Sequence, residues 1–371
     1  MILKKKNILF LLHLPPPVHG SSMVGKFIKD SKYINEQVNG DYLNLLASNN
    51  VSETGKISLN KVMGFVNVWF ALFFKLLKKK PALCYFAITA TGAAFFRDVL
   101  LISLLKIFRV KCMYHMHNKG VSKYQNSKIY NSCYKFIFKN AEVILLSKHL
   151  YKDIKKYVPL TKIHICPNGI PEIELDEKKN DDVDKKTVKI LFLSNLIKSK
   201  GVFILVEACK LLKERGIGFK CNFIGGEGDI TAEILKNKVD SLNLNNEINY
   251  LGKKYGDDKT AFLNEADLFV FPTYYSNECF PLVLLEAMQF NLPIISTFEG
   301  GIADIVEDGV TGILVSQNDV VSLAEKLEYL INNAEVRVDM GLKGKAKFDK
   351  EFTLEVFEKK MLSILLNSID T

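Results

Sequence analysis

Short apolar runs that alternate with helical patterns are the feature that most constrains the fold of this chain. The first half contains the runs ILFLLHL, ALCYFAI, KCMYHMH, EVILLS and KIHICP, and the second half contains KILFLSN, KCNFIG, INYLG, DLFVFPT, PIIST and GILV. Apolar runs of about four to eight residues, separated by helices, are typical of strands that are buried on both faces of a parallel sheet. The pattern predicts an α/β protein.

A charged segment divides the chain. ELDEKKNDDVDKK, residues 174–186, has mixed charge and no apolar face, so we interpret it as a solvated connection before a fresh strand. A chain of 371 residues is long enough for two domains. We therefore expect doubly wound domains over residues 1–169 and 170–350, and a C-terminal helix over residues 351–371 that crosses back to the first domain. Ligands of such sheets bind beyond the carboxyl ends of the strands, so two facing domains predict a site in a central cleft.

The cysteines and the first residues indicate the compartment. The seven cysteines are scattered without a CxxC pair, which argues against a disulfide framework or a zinc site and favours a reducing cytoplasm. The start MILKKKNILFLLHL resembles a signal peptide, but His13 interrupts the apolar run and three prolines follow it. We interpret Ile8 to Leu14 as a buried first strand and expect a cytoplasmic protein.

Charge is distributed unevenly along the chain. Residues 1–166 carry 26 Lys or Arg against 7 Asp or Glu, whereas residues 167–371 carry 24 against 34. This asymmetry indicates an anionic partner for the first half, either acidic lipid, a lipid-linked phosphate or nucleic acid. No nucleic-acid-binding module is recognisable, so we expect no nucleic-acid partner.

Residues 62–80, VMGFVNVWFALFFKLLKKK, could be mistaken for a membrane span. The apolar part is shorter than the roughly 20 residues that a span needs, and Lys75 interrupts it. Two interpretations stay open. The segment is an amphipathic helix packed on a sheet and ended by lysines and Pro81, or the same helix also rests on an anionic membrane surface through Trp69 and the lysines.

The stretch NECFPLVLLEAM places Glu278 and Glu286 eight residues apart among apolar residues. Pro281 suits the first turn of a helix, whose N-terminal N–H groups bind anions. Glu278 lies just before this helix and Glu286 about five residues into it, so at 1.5 Å of rise per residue the two carboxylates would lie roughly 8 Å apart along the axis. Carboxylates on either side of a bound diphosphate fit a nucleotide-sugar, with the sugar at Glu278 and the ribose at Glu286. An exposed loop glutamate and a structural cap are the alternative interpretation.

Two further stretches follow predicted strands and fit phosphate chemistry. SNLIKSKGVFILVEACKLL becomes helical after Gly201, so Lys200 lies beside a helix N-terminus, where it can neutralise phosphate charge. In PPPVHGSSM, Gly20 and its small neighbours let backbone N–H groups approach a phosphate closely. A solvated lysine and a plain turn are the alternatives.

The stretch YHMHN ends another predicted strand. His115 and His117 are two residues apart and therefore share one face of that strand. They are interpreted either as structural histidines or as part of a metal site, although no carboxylate or cysteine lies near them in sequence.

The surroundings of the two glutamates carry a family resemblance. Glu278 and Glu286 form an E-x7-E pattern that is continued by AMQFNLPIISTFEGGIADIVEDGVTGILV, and ICPNGI occupies residues 165–170. The combination resembles the family 4 retaining glycosyltransferases of the GT-B fold, the bacterial glycosyl transferases group 1. The resemblance covers nearly the whole chain and is strongest from Ala266 to Val315. It implies a first Rossmann-like domain that binds the acceptor and a second that binds the nucleotide-sugar.

The resemblance also implies roles for particular residues. Lys200-Gly201 matches a pair that clamps the donor diphosphate, whereas Asn195 stands where the family usually has an arginine, which leaves one fewer cation. Gly20 matches the family's glycine loop, in which His19 replaces the first glycine. The family places a histidine against the donor sugar, and we assign that position to His117.

Other expected donor contacts come from the backbone. The N–H groups of Phe280 and Leu282 are expected at the sugar, and YLGKK, which ends at Lys254, is expected to contact the base through its backbone. The FIGGEG turn lines the nucleotide side in the family; by itself its GxG glycines are only a weak dinucleotide signal. With these contacts, the resemblance makes His117, Glu278 and Lys200 the candidate catalytic residues.

The combined interpretation is a retaining, metal-independent glycosyltransferase without a cofactor. Its expected donor is a UDP-sugar, and its expected acceptor is a saccharide or lipid-linked saccharide of surface polysaccharide synthesis at the inner face of a bacterial membrane. A GT-B sugar-nucleotide epimerase, a non-catalytic carbohydrate-binding protein and an NAD-dependent oxidoreductase are the alternatives.

Overall fold

The computed structural model describes residues 5–45, 59–173 and 187–370. The predicted connection at residues 174–186 lies outside these ranges. The chain divides into two compact units, unit 1 with Met1–Gly169 and Leu354–Thr371, and unit 2 with Ile170–Thr353.

Unit 1 is built on a parallel sheet of six strands in the order β2-β1-β3-β4-β5-β6. The strands are β1 (Asn7–Leu12), β2 (Asn39–Asn44), β3 (Leu83–Ile88), β4 (Cys112–Met116), β5 (Glu142–Leu145) and β6 (Ile163–Ile165). The helices are α1 (Gly20–Asp30), α2 (Lys32–Gln37), α3 (Leu59–Lys78), α4 (Gly92–Ile107), α5 (Val121–Tyr124), α6 (Lys128–Phe138), α7 (Tyr151–Ile154) and, from the end of the chain, α15 (Leu354–Asp370). All six residues of β3 are buried, as are the five of β4, so these strands form the centre of the core.

Unit 2 repeats this plan with the strand order β12-β11-β10-β7-β8-β9. Its strands are β7 (Val188–Leu193), β8 (Phe219–Ile224), β9 (Ile248–Tyr250), β10 (Leu268–Val270), β11 (Ile294–Thr297) and β12 (Gly312–Val315). Its helices are α8 (Val202–Glu214), α9 (Ala232–Ser241), α10 (Gly256–Glu265), α11 (Leu282–Gln289), α12 (Ile302–Ile305), α13 (Val320–Asn332) and α14 (Ala334–Glu351). The two parallel sheets confirm the α/β prediction.

One strand lies outside the apolar runs. β2 has the sequence NGDYLN and only half-buried or exposed residues, because it is the edge strand of its sheet. An edge strand is covered less completely than a central one and therefore does not need a continuous apolar run.

The apolar segment at residues 62–80 forms most of α3, which ends at Lys78. Leu72 and Leu76 of this helix are buried. Among the helices of the described ranges, none has the length and apolarity that a membrane crossing requires.

Candidate active site

Lys200 is positioned by a tight turn at the carboxyl end of β7. The 3₁₀ turn Lys198–Lys200 leads into Gly201, which has a φ of +89° and precedes α8. A Cβ on Gly201 would approach the Pro272 carbonyl oxygen to 2.3 Å, so a side chain has no room there. The Ser199 carbonyl accepts a hydrogen bond of 2.8 Å from the Tyr274 N–H, which ties this turn to the loop after β10. Glycine is therefore required for Lys200 to lie beside that loop.

Lys200 and Glu278 form an ion pair within unit 2. Lys200 Nζ donates a hydrogen bond to Glu278 Oε2, and the two side chains are only 15% and 10% exposed. The ammonium group also lies 4.7 Å from the centre of the Tyr275 ring and 5.3 Å from that of Phe271. A cation above aromatic faces is stabilised by the ring quadrupoles. The pair thus places one cation and one carboxylate together in a partly desolvated position.

The backbone of Glu278 is held by the glycines of the loop after β11. A Cβ on Gly300, whose φ is +59°, would approach the Glu278 carbonyl oxygen to 2.3 Å. The Gly301 N–H donates a 2.7 Å hydrogen bond to the Cys279 carbonyl. The EGG sequence of this loop therefore sets the position of Glu278 through close backbone packing.

The segment after Glu278 leads into α11. The Phe280 side chain is buried and packs against Phe352, with ring centroids 5.8 Å apart, so its backbone is the part that remains for a ligand. Pro281 is the N-cap residue of α11, which begins at Leu282. The first N–H groups of a helix have no intrahelical partner and favour anions. Phe280 and Leu282 thus flank the start of a helix, as the sequence predicts.

Glu286 lies on α11 and is paired with α10. Its Oε1 atom is 2.9 Å from Lys259 Nζ, and both side chains are partly buried. The other carboxylate oxygen leaves capacity to accept further hydrogen bonds, because an ionised carboxylate offers about four lone-pair sites. Each glutamate of the E-x7-E pattern therefore has its own lysine.

Asn195 takes part in an interlocked set of turns after β7, β8 and β9. Its Oδ1 atom accepts a 3.1 Å hydrogen bond from the Gly226 N–H. A Cβ on Gly226 would lie 3.1 Å from that oxygen and 2.3 Å from Cε of Lys253. Lys253 is thus the lysine of YLGKK beside Asn195, whereas Lys254 lies 3.9 Å from Asp258.

In unit 1, Gly20 is the first residue of α1 and follows the N-cap residue His19. His19 Nδ1 accepts a hydrogen bond from the Ser22 N–H, and the Ser22 hydroxyl in turn accepts one from the His19 N–H. A Cβ on Gly20 would meet no atom within 4 Å. The capping residues His19 and Ser22 therefore satisfy each other's N–H groups at this helix start, and no atom fills the space beside Gly20.

Histidines gather at the carboxyl ends of β1 and β4. His115 is fully buried, and its Nδ1 atom lies 2.5 Å from the Tyr85 hydroxyl. The His117 ring is 4.1 Å from that of His115 and is half-buried, which leaves it the more accessible of the two. Burial, together with the charge of His19, lowers the pKa of His117 to about 3, so the ring is neutral at physiological pH. Burial also holds the pKa of His13 well below its usual range, and the neighbouring Arg97, His117 and His19 lower it further.

The structure distributes the expected site residues over the two units. Gly20 and His117 belong to unit 1. The other expected residues belong to unit 2 and follow the carboxyl ends of its strands; they are Asn195, Lys200, Lys254, Glu278, Phe280, Leu282 and Glu286. No group of three or more His, Cys, Asp or Glu side chains suited to a metal occurs within residues 5–45, 59–173 and 187–370.

Sequence reasoning missed three residues around the candidate site. Lys253 lies in YLGKK, where only a backbone contact was expected, and Lys259 lies in a polar segment that shows no pattern of its own. Each lysine is far in sequence from the group it approaches. Tyr275 was visible only as a loop residue, although an aromatic ring just before Glu278 was the available signal for a cation contact.

The second half of the chain is similar to a known family. Residues 174–347 match the family model of glycosyl transferases group 1. The matched region contains Asn195, Lys200, Lys253, Glu278 and Glu286, so the residues described for unit 2 lie within the stretch that is similar to this family.

Curated relatives carry glycosyltransferase names. The amylovoran biosynthesis glycosyltransferase AmsK of Erwinia amylovora is 28% identical over 267 residues, which are 70% of this chain and 65% of that protein. The capsular polysaccharide biosynthesis glycosyltransferase CapM of Staphylococcus aureus is 29% identical over 204 residues, 53% of this chain and 52% of that protein. The matched part of the chain thus spans between half and two thirds of the length of these relatives.

A solved structure resembles the whole fold. HepE of Anabaena in complex with UDP aligns with a TM-score of 0.76 and 17% identity over 97% of this chain and 100% of that one. The chain has the GT-B fold of glycosyltransferases.

Proposed function

We propose that this chain is a retaining glycosyltransferase that transfers a sugar from a nucleotide-sugar to a saccharide acceptor. The observation that carries the proposal is the Lys200–Glu278 ion pair at the carboxyl end of the unit 2 sheet, inside the region that matches group 1 glycosyltransferases. Nucleotides bind at this edge of open α/β sheets. A UDP-sugar is the donor we favour, since HepE, which shares the fold, was crystallised with UDP.

The proposed chemistry is electrostatic. The bond between the anomeric carbon and the diphosphate breaks, the acceptor oxygen bonds to that carbon on the same face, and the acceptor proton passes to the leaving phosphate oxygen. Lys200 and the first N–H groups of α11 stabilise the negative charge that develops on the diphosphate. Glu278 accepts hydrogen bonds from the sugar hydroxyls, and Glu286 accepts them from the ribose. We keep His117 as the predicted contact of the transferred sugar.

Lys253 fits the proposal as a second cation. Asn195 stands at the position of a family arginine and is engaged with Gly226, so it brings no charge to a diphosphate. The Lys253 side chain reaches Gly226 as well and is exposed, which lets its ammonium group approach a bound phosphate. We therefore propose that Lys253 supplies part of the positive charge that Asn195 lacks.

The acceptor proposal follows the relatives. AmsK and CapM are named for the synthesis of amylovoran and of capsular polysaccharide. We propose a lipid-linked saccharide as the acceptor, bound by unit 1 and presented at the inner face of the membrane, and we propose that transfer needs no metal ion.

The test is a transfer assay with UDP-, GDP- and ADP-sugars and an extract of undecaprenyl-linked saccharides. We expect one donor to give a lengthened saccharide whose new linkage, by NMR, keeps the anomeric configuration of the donor, with and without EDTA. Lys200→Ala should abolish transfer, while Lys210→Ala, a matched change on the exposed side of α8, should not. An epimerised donor would contradict transfer and favour a sugar-nucleotide epimerase. Donor binding without any product would contradict it as well and favour a non-catalytic carbohydrate-binding protein.

A further inference from the structure

Helices α3, α4 and α6 cover one face of the unit 1 sheet. Each connects one strand to the next in the same direction across the order β2-β1-β3-β4-β5, and right-handed crossovers place such helices on the same face. Phe73 of α3 meets Phe108, after α4, with ring centroids 6.0 Å apart, and Lys106 of α4 lies 5.4 Å from the Phe136 ring of α6. The outer sides of these helices form one continuous area, here called the three-helix surface.

The three-helix surface exposes apolar side chains in a row along each helix. The row on α3 consists of Met63, Val66, Phe70, Phe74 and Leu77. The rows on α4 and α6 consist of Phe96, Leu100 and Ile107, and of Ile129 and Phe136. Residues three, four and seven positions apart share one face of a helix, so each row is a stripe. An exposed apolar area shared by several helices indicates a surface that is covered when the protein works.

The stretch of chain that carries this surface is basic. Residues 59–141, which contain the three helices, include fourteen Lys or Arg residues and a single acidic residue. That residue, Asp98, is fully buried and accepts hydrogen bonds from the neighbouring Arg97. Lys78, Lys79 and Lys80 are exposed where the α3 row ends. The helices therefore combine apolar stripes with positive charge that no exposed acid of their own offsets, although Lys75 is paired with the exposed Asp41 of β2.

We infer that the three-helix surface docks on an anionic lipid bilayer, with the apolar rows in the interface and the lysines at the lipid phosphates. A second copy of the chain fits less well, because a symmetric contact would set positive charge against positive charge. Nucleic acid would use the lysines but would leave Phe70, Phe74 and Leu77 in water. The inference deepens the proposed function by naming the partner that brings the enzyme to a lipid-linked acceptor.

A cavity lies at the lysine end of α3, where Lys75 is paired with Asp41 of β2. It has a volume of about 360 Å³ and is lined by, among others, Asn7, Asn39, Asp41, Lys75, Lys78 and Lys79. Asn7 and Asn39 are the first residues of β1 and β2, so the cavity lies at the amino end of the sheet. Changes to these lysines therefore leave the carboxyl end of the strands, with Gly20 and His117, untouched.

The first test is co-sedimentation of the full chain with vesicles of equal parts phosphatidylglycerol and phosphatidylcholine, or of phosphatidylcholine alone. We expect binding to the anionic vesicles that falls at least tenfold in about 0.5 M salt, where the Debye length is only a few ångströms. Lys78→Gln/Lys79→Gln/Lys80→Gln should lower the partition constant about 100-fold, since each lysine near such a surface changes it about fivefold. The matched control is Lys26→Gln/Lys29→Gln/Lys32→Gln, which removes the same charge from α1 and α2. It should stay within about threefold of the parent, because α1 connects its strands in the opposite direction and lies on the other face.

The second test concerns the apolar rows. Phe74 and Leu77 are 62% and 59% exposed, so Phe74→Gln/Leu77→Gln should fold normally and lower the partition constant at least tenfold. Val338→Gln/Leu342→Gln on α14 is the control, since these residues are 55% and 56% exposed but belong to unit 2. It should bind vesicles like the parent. Circular dichroism verifies that each variant is folded.

Several outcomes would overturn the inference. They are a parent chain that does not bind anionic vesicles, a control variant that loses as much binding as its partner, and a dimer, seen by sedimentation velocity, that Phe74→Gln/Leu77→Gln dissociates while vesicles have no effect. Retention on duplex DNA that depends on the lysines but not on the apolar row would point to nucleic acid instead. None of these measurements needs a sugar donor, so a failure here is separate from a failure of the transferase proposal.

Discussion

Lys259 Nζ lies 2.9 Å from Glu286 Oε1, so the second carboxylate of the E-x7-E pattern is held by a lysine from the neighbouring helix α10. One carboxylate oxygen is occupied, and the carboxylate keeps acceptor capacity for the two hydroxyls of a ribose. The lysine then acts as a positioning residue for the glutamate.

Glu286→Ala should weaken binding of the free nucleoside diphosphate by about 1.5–3 kcal/mol, the value of hydrogen bonds to a charged acceptor. Lys259→Met should weaken it only a few-fold, because the carboxylate remains and only its orientation is lost. Isothermal titration with UDP measures both. Parental affinity in Glu286→Ala would contradict the ribose assignment.

Glu278→Ala should keep or improve diphosphate binding and lower turnover at least 100-fold, because the sugar loses its acceptor while Lys200 is released for phosphate. The variant should also be less stable, since Lys200 is left without its carboxylate in a partly buried position. Glu278→Ala/Lys200→Ala should recover stability but not turnover. Thermal unfolding and the transfer assay separate the two effects, and normal turnover in the folded single variant would rule out the sugar contact.

Gly300→Ala tests the backbone support of Glu278. Its φ of +59° and the 2.3 Å approach of a Cβ to the Glu278 carbonyl oxygen predict strain and a displaced loop. Gly216→Ala is a matched control, since Gly216 has a φ of +71° but no atom within 4 Å of its Cβ. The control should lose about 1–2 kcal/mol of stability and keep its activity. Gly300→Ala should lose more stability and at least tenfold in turnover, and equal behaviour of the two variants would refute the contact.

Pro281→Gly should keep activity within about tenfold. The residue caps α11 with a φ of −70°, which glycine adopts at some entropic cost, and glycine adds an N–H donor at the helix start. Complete loss of activity in a folded variant would count against the role of backbone donors.

The histidines of unit 1 predict a loss of stability in acid. The pKa of His117 is lowered from its ordinary 6.5 to about 3, so between these values the unfolded chain takes up a proton that the folded chain does not. Stability therefore falls as the pH drops through this window, by about 1.4 kcal/mol per pH unit for such a histidine. The single tryptophan, Trp69, lies in unit 1 and reports its unfolding in urea. His117→Asn should show a shallower dependence below pH 6.5, and parallel curves would contradict the lowered pKa of this half-buried ring.

Local sequence pattern was sufficient for most of the fold and for some of the residues that lie together in the candidate site. Central strands such as β3 and β4 can be recognised as continuous apolar runs because both of their faces are covered, whereas the edge strand β2 has no such run. Lys200 and Glu278 could be expected as neighbours of a ligand, but their ion pair joins residues 78 positions apart. The approaches of Lys253 to Gly226 and of Lys259 to Glu286 likewise depend on how separate turns and helices pack, which no spacing in the sequence encodes.

The Lys200–Glu278 pair has a consequence for the end of the proposed catalytic cycle. When a nucleoside diphosphate leaves, the Lys200 ammonium group does not need to be hydrated first, because the Glu278 carboxylate lies beside it and can pair with it directly. We expect the carboxylate to compete with the departing phosphate and to shorten the residence time of the product. In enzymes whose turnover is limited by product release, a carboxylate that speeds this release raises kcat.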